Sequence, residues 1–211
     1  MSKQKVIKFN CNVCNEPVEF ISYGSINARQ NPELKQKLID DTLYKITCPK
    51  CGAKLKTIYP LLYHDPDKKF MVYGVPPDDL YKIINTFNVM KDKYPNAYEG
   101  YTLRVASNPT DFREKVIILN ANLDDRVIEI YKALDVNSIN ALDENAKATR
   151  GYFFVDGDKN MIEFDATYYI KKELSADNYD YIKSFFATDI EGALNNYIVD
   201  VDWAKEIISI E

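Results

Sequence analysis

The chain has 211 residues, and none of its apolar runs approaches the length of a bilayer crossing, which excludes a helical membrane span. The stretch Met1-Ser2-Lys3-Gln4-Lys5-Val6 has no apolar segment behind its lysines. The expectation is therefore a chain without a secretory signal, working in the cytoplasm, where thiols stay reduced. Histidine occurs once, as His64, and cysteine only four times. If the four cysteines share one task, none remains as a nucleophile, and no serine motif takes that place. Low-complexity segments are absent, as are internal repeats other than a doubled cysteine pair. The rest is the composition of a globular protein, 46% hydrophobic and 28% charged, sufficient for one large domain or two small ones.

The net charge of −5 is unevenly spread. Met1 to Pro77 holds 12 Lys/Arg against 7 Asp/Glu, and Asp78 to Glu211 holds 15 against 25. Such asymmetry can mark an interaction surface; the plainer reading is two solvated surfaces that differ in sign.

The cysteines form Cys11-Asn12-Val13-Cys14 and Cys48-Pro49-Lys50-Cys51, separated by 33 residues. A C-x2-C turn brings two sulfurs to one side of a tight loop, and two such turns supply four thiolates for a tetrahedral ion. Pro49 stiffens the second turn. Gly52 follows the second pair, where the backbone needs positive φ, and Asn15 holds the matching place after the first. Each pair leads into strand-like sequence, Pro17 to Tyr23 and Lys54 to Tyr59, rather than into the helix a redox C-x-x-C requires. Two disulfides would need an oxidising compartment. The pattern is that of a zinc ribbon holding one structural Zn2+ on Cys11, Cys14, Cys48 and Cys51. Four thiolates close the site to substrate, and Lys45, Lys50, Lys54 and Lys56 are expected to offset its charge.

Along the chain, Asn31-Pro32 opens a helix with Leu34, Leu38 and Ile39 at helical spacing, ending near Asp41, and Leu43 to Thr47 runs as a strand into Cys48. Ile58 to Tyr63 and Phe70 to Val75 flank Asp65-Pro66-Asp67-Lys68 as a hairpin. Leu80, Ile83, Ile84, Phe87 and Met90 form one face of a helix that Pro95 stops. A strand follows over Tyr101 to Ala106, then helical spacing from Phe112 to Leu134 with a break near Asn120 to Asn122. Val136 to Arg150 is polar and reads as a linker. Gly151 to Val155 and Met161 to Tyr169 read as a second hairpin. From Asn178 the chain is helical, with Phe185, Phe186, Leu194, Ile198, Trp203 and Ile207 as core. The fold class is α+β: a zinc ribbon with a helical insert over 1–77, helices over 78–135, and a C-terminal β-hairpin plus helices over 136–211.

The segments Ser25-Ile26-Asn27, Asn31-Pro32-Glu33-Leu34-Lys35, Thr47-Cys48-Pro49-Lys50-Cys51-Gly52, Tyr59 to Asp65 and Lys69 to Tyr73 resemble the CpXC protein domain, as do Glu114 to Ile118 and Leu123 to Glu129. The resemblance runs from about Val6 to about Leu134, residues 6–135 in round terms, and departs at Asn12, where the family's C-P-x-C knuckle has proline. It implies the zinc site and a prokaryotic source, bacterial or archaeal, and no catalytic residue.

Other candidates are weighed on their residues. His64 beside Asp65 offers a His–Asp pair, or a hydrogen-bonded turn histidine. Asp156-Gly157-Asp158-Lys159-Asn160 begins like a calcium loop, but Met161 and Thr167 stand where an EF-hand needs Gly and Glu, so it reads as a hairpin turn. Lys54, Lys56, Tyr59, Lys68, Lys69 and Tyr73 form a candidate nucleic-acid strip. Of the sixteen tyrosines, Tyr63, Tyr73, Tyr98, Tyr101, Tyr168, Tyr169, Tyr179, Tyr181 and Tyr197 offer binding surface or core edge. Asp177, Asp180, Asp189, Glu191, Asp200, Asp202, Glu206 and Glu211 make a solvated face or a surface for a basic partner.

The leading expectation is a non-enzymatic zinc-ribbon module that binds another protein. The alternative is a nucleic-acid regulator acting through Lys54, Lys56, Lys68 and Lys69. The third is an enzyme with an unrecognised site in the C-terminal region, which a pocket of convergent carboxylates around Asp156, Asp158, Glu163 and Asp165 would favour. No membrane partner is expected.

Overall fold

A computed structural model describes residues 4–209. Met1 to Lys3, where the leader expectation begins, and Glu211, one of the C-terminal acids, lie outside the described residues. The chain forms two compact units, Met1–Arg113 and Glu114–Glu211. The expected borders after Pro77 and near Asp135 do not coincide with that division. The first unit holds 17 Lys/Arg against 12 Asp/Glu and the second 10 against 20, so the change of charge sign follows the units.

In the first unit, β1 (Gln4–Asn10) and β2 (Pro17–Tyr23) pair antiparallel around the first cysteine turn. β3 (Ser25–Asn27) leads to α1 (Pro32–Ile39), then β4 (Lys45–Thr47) and β5 (Lys54–Lys56) pair around the second turn. β6 (Leu61–Asp65) and β7 (Phe70–Gly74) form the expected hairpin, α2 (Leu80–Lys93) ends before Pro95, and β8 (Thr102–Ala106) precedes α3 (Pro109–Asn120). β3, β6, β7 and β8 make a four-stranded sheet in that order, with β3–β6 and β7–β8 parallel. Its apolar positions, Ile26, Leu61, Tyr63, Phe70, Val72, Leu103 and Val105, are all buried.

Two local devices fix α1. Leu34 and Leu38, one turn apart, are its buried stripe. At its C-terminus the Arg113 guanidinium donates to the carbonyls of Leu38, which also accepts from the Asp41 N–H, and Ile39. Asp41 then turns the chain at φ 54°. In α2 only Phe87 of the expected face is fully buried; Leu80, Ile83, Ile84 and Met90 are half-buried.

α3 carries the division between the units. The expected break follows it, and Asp124 caps α4 (Asp125–Leu142), its side chain accepting from the Arg126 N–H. β9 (Arg150–Asp156), β10 (Lys159–Asp165) and β11 (Ile170–Glu173) form an antiparallel sheet in the order β11-β10-β9. The expected hairpin therefore has a third strand. Ile170-Lys171-Lys172-Glu173 hides it, because Lys172 covers the face an apolar residue would mark, paired with Asp135 at 2.6 Å and lying over the Tyr131 ring. α5 (Ala176–Phe185), α6 (Ala187–Gly192) and α7 (Val201–Ser209) complete the unit.

Three expectations are corrected here. Val136 to Arg150 is not a linker: α4 runs on to Leu142, Val136, Ala146 and Ala148 are buried, and the Asn140 amide exchanges two hydrogen bonds with the Ala148 backbone. A polar amide standing in for a backbone partner has no hydrophobic signature. Phe185 and Leu194 are exposed rather than core, whereas Phe186 is buried. Ile198, Trp203 and Ile207 are half-buried.

Candidate metal centre

The two cysteine turns have the same backbone wiring. In the first, the Cys11 N–H donates to Glu16 O at 2.8 Å and the Asn15 N–H to Cys11 O at 2.8 Å. In the second, the Cys48 N–H donates to Ala53 O at 2.9 Å and the Gly52 N–H to Cys48 O at 3.0 Å. The residue after each pair is left-handed, Asn15 at φ 58° and Gly52 at φ 74°. This is why a glycine and an asparagine stand there and β-branched residues do not. A Cβ on Gly52 would meet nothing within 4 Å, so only the backbone opposes a side chain. Gly52→Ala is expected to destabilise the ribbon by about 1 kcal/mol, and Asn15→Gly to be neutral or stabilising. Thermal melts of the two variants check the asymmetry; equal losses would remove the left-handed turn as the reason for these residues.

The turns bring their sulfurs together. All four Sγ atoms lie within 4.8 Å of one another. Two pairs cross between the turns, Cys11 to Cys51 at 3.8 Å and Cys14 to Cys48 at 3.7 Å. A disulfide needs about 2.05 Å, so the sulfurs are not bonded. In a regular tetrahedron of thiolates at about 2.3 Å from a metal, sulfurs sit about 3.8 Å apart, which these distances match. Cys11 and Cys48 are buried, Cys14 is half-buried and Cys51 exposed. Among the described residues, Val18 and Leu55 pack with Cys11 and Cys48, flanked by the partly buried Phe9, Cys14, Ile46 and Ala53.

The surroundings favour thiolate at one corner first. Backbone N–H groups of Cys51 and Lys50 aimed at Cys48 lower its thiol to about 7, against the cost of burial. At Cys14 the Glu16 N–H also favours thiolate, but burial and the three neighbouring thiols outweigh it and push Cys14 to about 12. A cation in the middle would relieve the mutual repulsion.

The lysines expected to offset this charge have other partners. Lys50 pairs with Glu16 across the two turns at 2.7 Å, Lys45 and Lys56 share Asp41, and Lys54 donates to Thr47 Oγ1.

The remaining candidates do not assemble. His64 Nε2 meets the Tyr101 hydroxyl at 3.1 Å rather than Asp65. Burial holds the imidazole below its usual range, only partly opposed by the Asp65 charge. Asp65 itself is a turn carboxylate that accepts from the Asp67 and Lys68 N–H groups. Asp156 is paired with Lys171 at 2.9 Å, and Gly157 turns the hairpin at φ 64°. Lys54 and Lys56 lie on β5, whereas Lys68 and Lys69 belong to the β6–β7 turn of another sheet. Tyr59 is buried against Phe20 and Tyr44 and offers no face to a base. Of the tyrosines, Tyr63 is fully buried and Tyr179 accepts from the Asp124 N–H, while Tyr169 and Tyr181 stand exposed. Sequence reading missed a set of buried charges in the second unit, Glu114, Lys115, Asp125, Glu129 and Lys132. Residues of these types at helical spacing read as a solvated face.

No described helix is long and apolar enough to cross a membrane. Among known proteins, the family model described as CpXC protein matches residues 9–132, more than half of the chain. No curated protein and no solved structure matches.

Proposed function

The chain belongs to the CpXC family, and from that premise we propose that it is a non-enzymatic protein whose four thiolates hold one structural Zn2+ and whose ribbon serves a protein–protein contact. The observation that carries the reading is the set of four sulfurs lying within 4.8 Å of one another. A tetrahedral four-sulfur site suits zinc or iron. A polynuclear iron–sulfur cluster attaches its cysteines to different irons and spreads them further than these four lie. With four protein ligands on the ion, no position is open to water or substrate, and the metal's role is to fold the ribbon.

The ribbon then has an outward face. Val6 and Ile21 sit opposite each other across β1–β2, 58% and 50% exposed, and Val13 stands 69% exposed at the first turn. Apolar groups held out on a metal-stapled hairpin favour a protein partner. The nucleic-acid reading loses support because Tyr59 is buried and Lys54 and Lys56 are engaged within the chain. For an enzymatic reading, no acid, base and nucleophile converge among the described residues.

Two measurements test this. Elemental analysis of the purified protein is expected to give one zinc per chain; stoichiometric iron, or no metal, defeats the zinc assignment. The zinc-loaded protein is then used to capture partners from a lysate with and without nuclease. A protein that stays bound after nuclease supports the reading. Bound material that vanishes with nuclease makes the ribbon a nucleic-acid module instead.

A further inference from the structure

The outer face of the β9–β10–β11 sheet carries a groove of about 420 Å3. Tyr152 lines it from β9, Glu163 and Asp165 from β10, and Thr167, Tyr168 and Tyr169 from the segment before β11. The register brings them together. Tyr152 lies opposite Glu163, and Glu163 and Asp165, two apart on one strand, share the face opposite the buried Ile162 and Phe164.

Two features give the groove a chemical preference. No ion pair or side-chain hydrogen bond joins Glu163 or Asp165 to another described residue, although Lys171 stands across from Glu163 and acts on it through its charge, and Arg150 stands across from Asp165. Lys171, opposite Glu163 on β11, gives its ammonium to Asp156 at 2.9 Å. The second feature is aromatic surface held in place. Tyr169 is 70% exposed and Tyr168 47%. The Tyr168 hydroxyl donates to Asp143 at 2.6 Å, which fixes its ring. On the same face the Arg150 guanidinium already lies over the Tyr152 ring at 4.8 Å, so the fold itself packs a planar cation on one of these tyrosines. A flat cation that stacks on tyrosine and forks onto carboxylates is an arginine side chain. The unit around the groove, with 20 Asp/Glu against 10 Lys/Arg, attracts basic chains from a distance.

We infer that this groove binds an arginine-bearing segment of a basic protein, with the guanidinium laid on Tyr168 and Tyr169 and taken by Glu163 and Asp165. The inference names a partner chemistry within the protein-interaction reading and rests on it, but its residues are not those of the ribbon, so the two can fail separately.

The test uses the full-length, zinc-loaded protein and fluorescence anisotropy. The probe is a fluorescein-labelled peptide alternating glycine and arginine, with a counterpart carrying citrulline, which keeps the shape and removes the charge. Saturable binding of the arginine peptide is expected, about tenfold or more weaker for the citrulline form. Tyr169→Ala, and Glu163→Gln combined with Asp165→Asn, are each expected to weaken binding by about tenfold. All three residues are exposed, and circular dichroism of the variants checks that they fold. Asp177→Asn combined with Asp180→Asn removes the same charge from α5, outside the groove, and is expected to change binding less than about twofold. Equal weakening by the two double variants would reduce the effect to general acidity and overturn the site. Equal binding of the citrulline peptide, or no saturation, would overturn it as well. A nuclease-resistant partner captured by a protein that ignores the arginine peptide would leave the interaction reading standing and remove the groove.

Discussion

Removal of the metal by a chelator, or Cys48→Ser, is expected to unfold the ribbon and lower the melting temperature by more than about 10 °C. The reason is how little else holds it. β1–β2 and β4–β5 are isolated two-stranded pairs, and such hairpins are marginal in water. The core shared by the two cysteine turns consists of Cys11 and Cys48 with Val18 and Leu55, bordered by Phe9, Cys14, Ile46 and Ala53. Few apolar groups meet there, and the four thiolates, drawn together without a cation, repel one another. Metal binding in ribbons of this kind contributes on the order of 10 kcal/mol, all of it folding energy. Hydrogen exchange locates the effect. Amides of β1, β2, β4 and β5 are expected to lose protection, and those of the four-stranded sheet to lose less, since Leu61, Tyr63, Phe70 and Val72 are buried there without help from sulfur. Cys51→Ser tests whether exposure matters: as a ligand Cys51 is expected to be as necessary as the buried Cys48, although it is the most accessible of the four. An apo protein that keeps its near-UV spectrum and melting temperature would defeat the structural role.

The four-cysteine cluster was legible because its rules are local. Cys-x2-Cys spacing, Pro49, and the pair Asn15 and Gly52 each declare a turn whose geometry depends on a few adjacent atoms, and the structure gives both turns the same hydrogen bonds. The Asn31-Pro32 helix start and the Asp65 turn were legible for the same reason. What stayed hidden depends on partners distant in sequence. β11 carries lysines because Lys172 reaches Asp135 and covers Tyr131. The 136–150 segment looked like a linker because Asn140, rather than an apolar side chain, ties it down. The helical signal of α4 was read, but not the identity of its buried face. Lys132 and Glu129 occupy positions as buried as Ile128 and Ile130, and charge in a helix is normally taken as a mark of solvent.

That buried face leads to the second large effect, an expected loss of about 3–5 kcal/mol on Lys132→Met or Glu129→Gln. Lys132 Nζ lies 2.7 Å from Glu114 and 3.0 Å from Glu129, and Lys115 Nζ lies 2.7 Å from Glu129 and 3.4 Å from Asp125. All five residues are at most 4% exposed. Three carboxylates face two ammonium groups, and the Arg150 guanidinium, 3.7 Å from Glu114, supplies the third positive charge. The set is balanced, so each single deletion strands a charge away from water. Glu114 has a further duty: its Oε1 accepts the Phe153 N–H at 2.6 Å, satisfying a donor on β9, an edge of the three-stranded sheet. The protonation states follow from the same contacts. Burial alone would raise Glu129, yet the charges of Lys115 and Lys132 outweigh it and hold the carboxyl below its ordinary 4.5. Burial alone would lower Lys132, yet Glu114 and Glu129 outweigh it and hold the ammonium above its ordinary 10.5. A depressed carboxyl stabilises the fold above pH 4.5, and that contribution fades as pH falls through the folded value below it. A raised ammonium stabilises below pH 10.5 and fades as pH rises through the folded value above it. Between those limits the network's contribution is flat. Urea unfolding, followed by exchange of the α4 amides, is therefore expected to show a pH-independent deficit for both variants from about pH 5 to about pH 10. The double variant Glu129→Gln with Lys132→Met is expected to lose less than the two single losses added, since each removes a charge the other leaves stranded. A single-variant loss below about 1 kcal/mol would mean that water reaches these groups when a partner is removed, and the network would then be no more than a solvated surface pair.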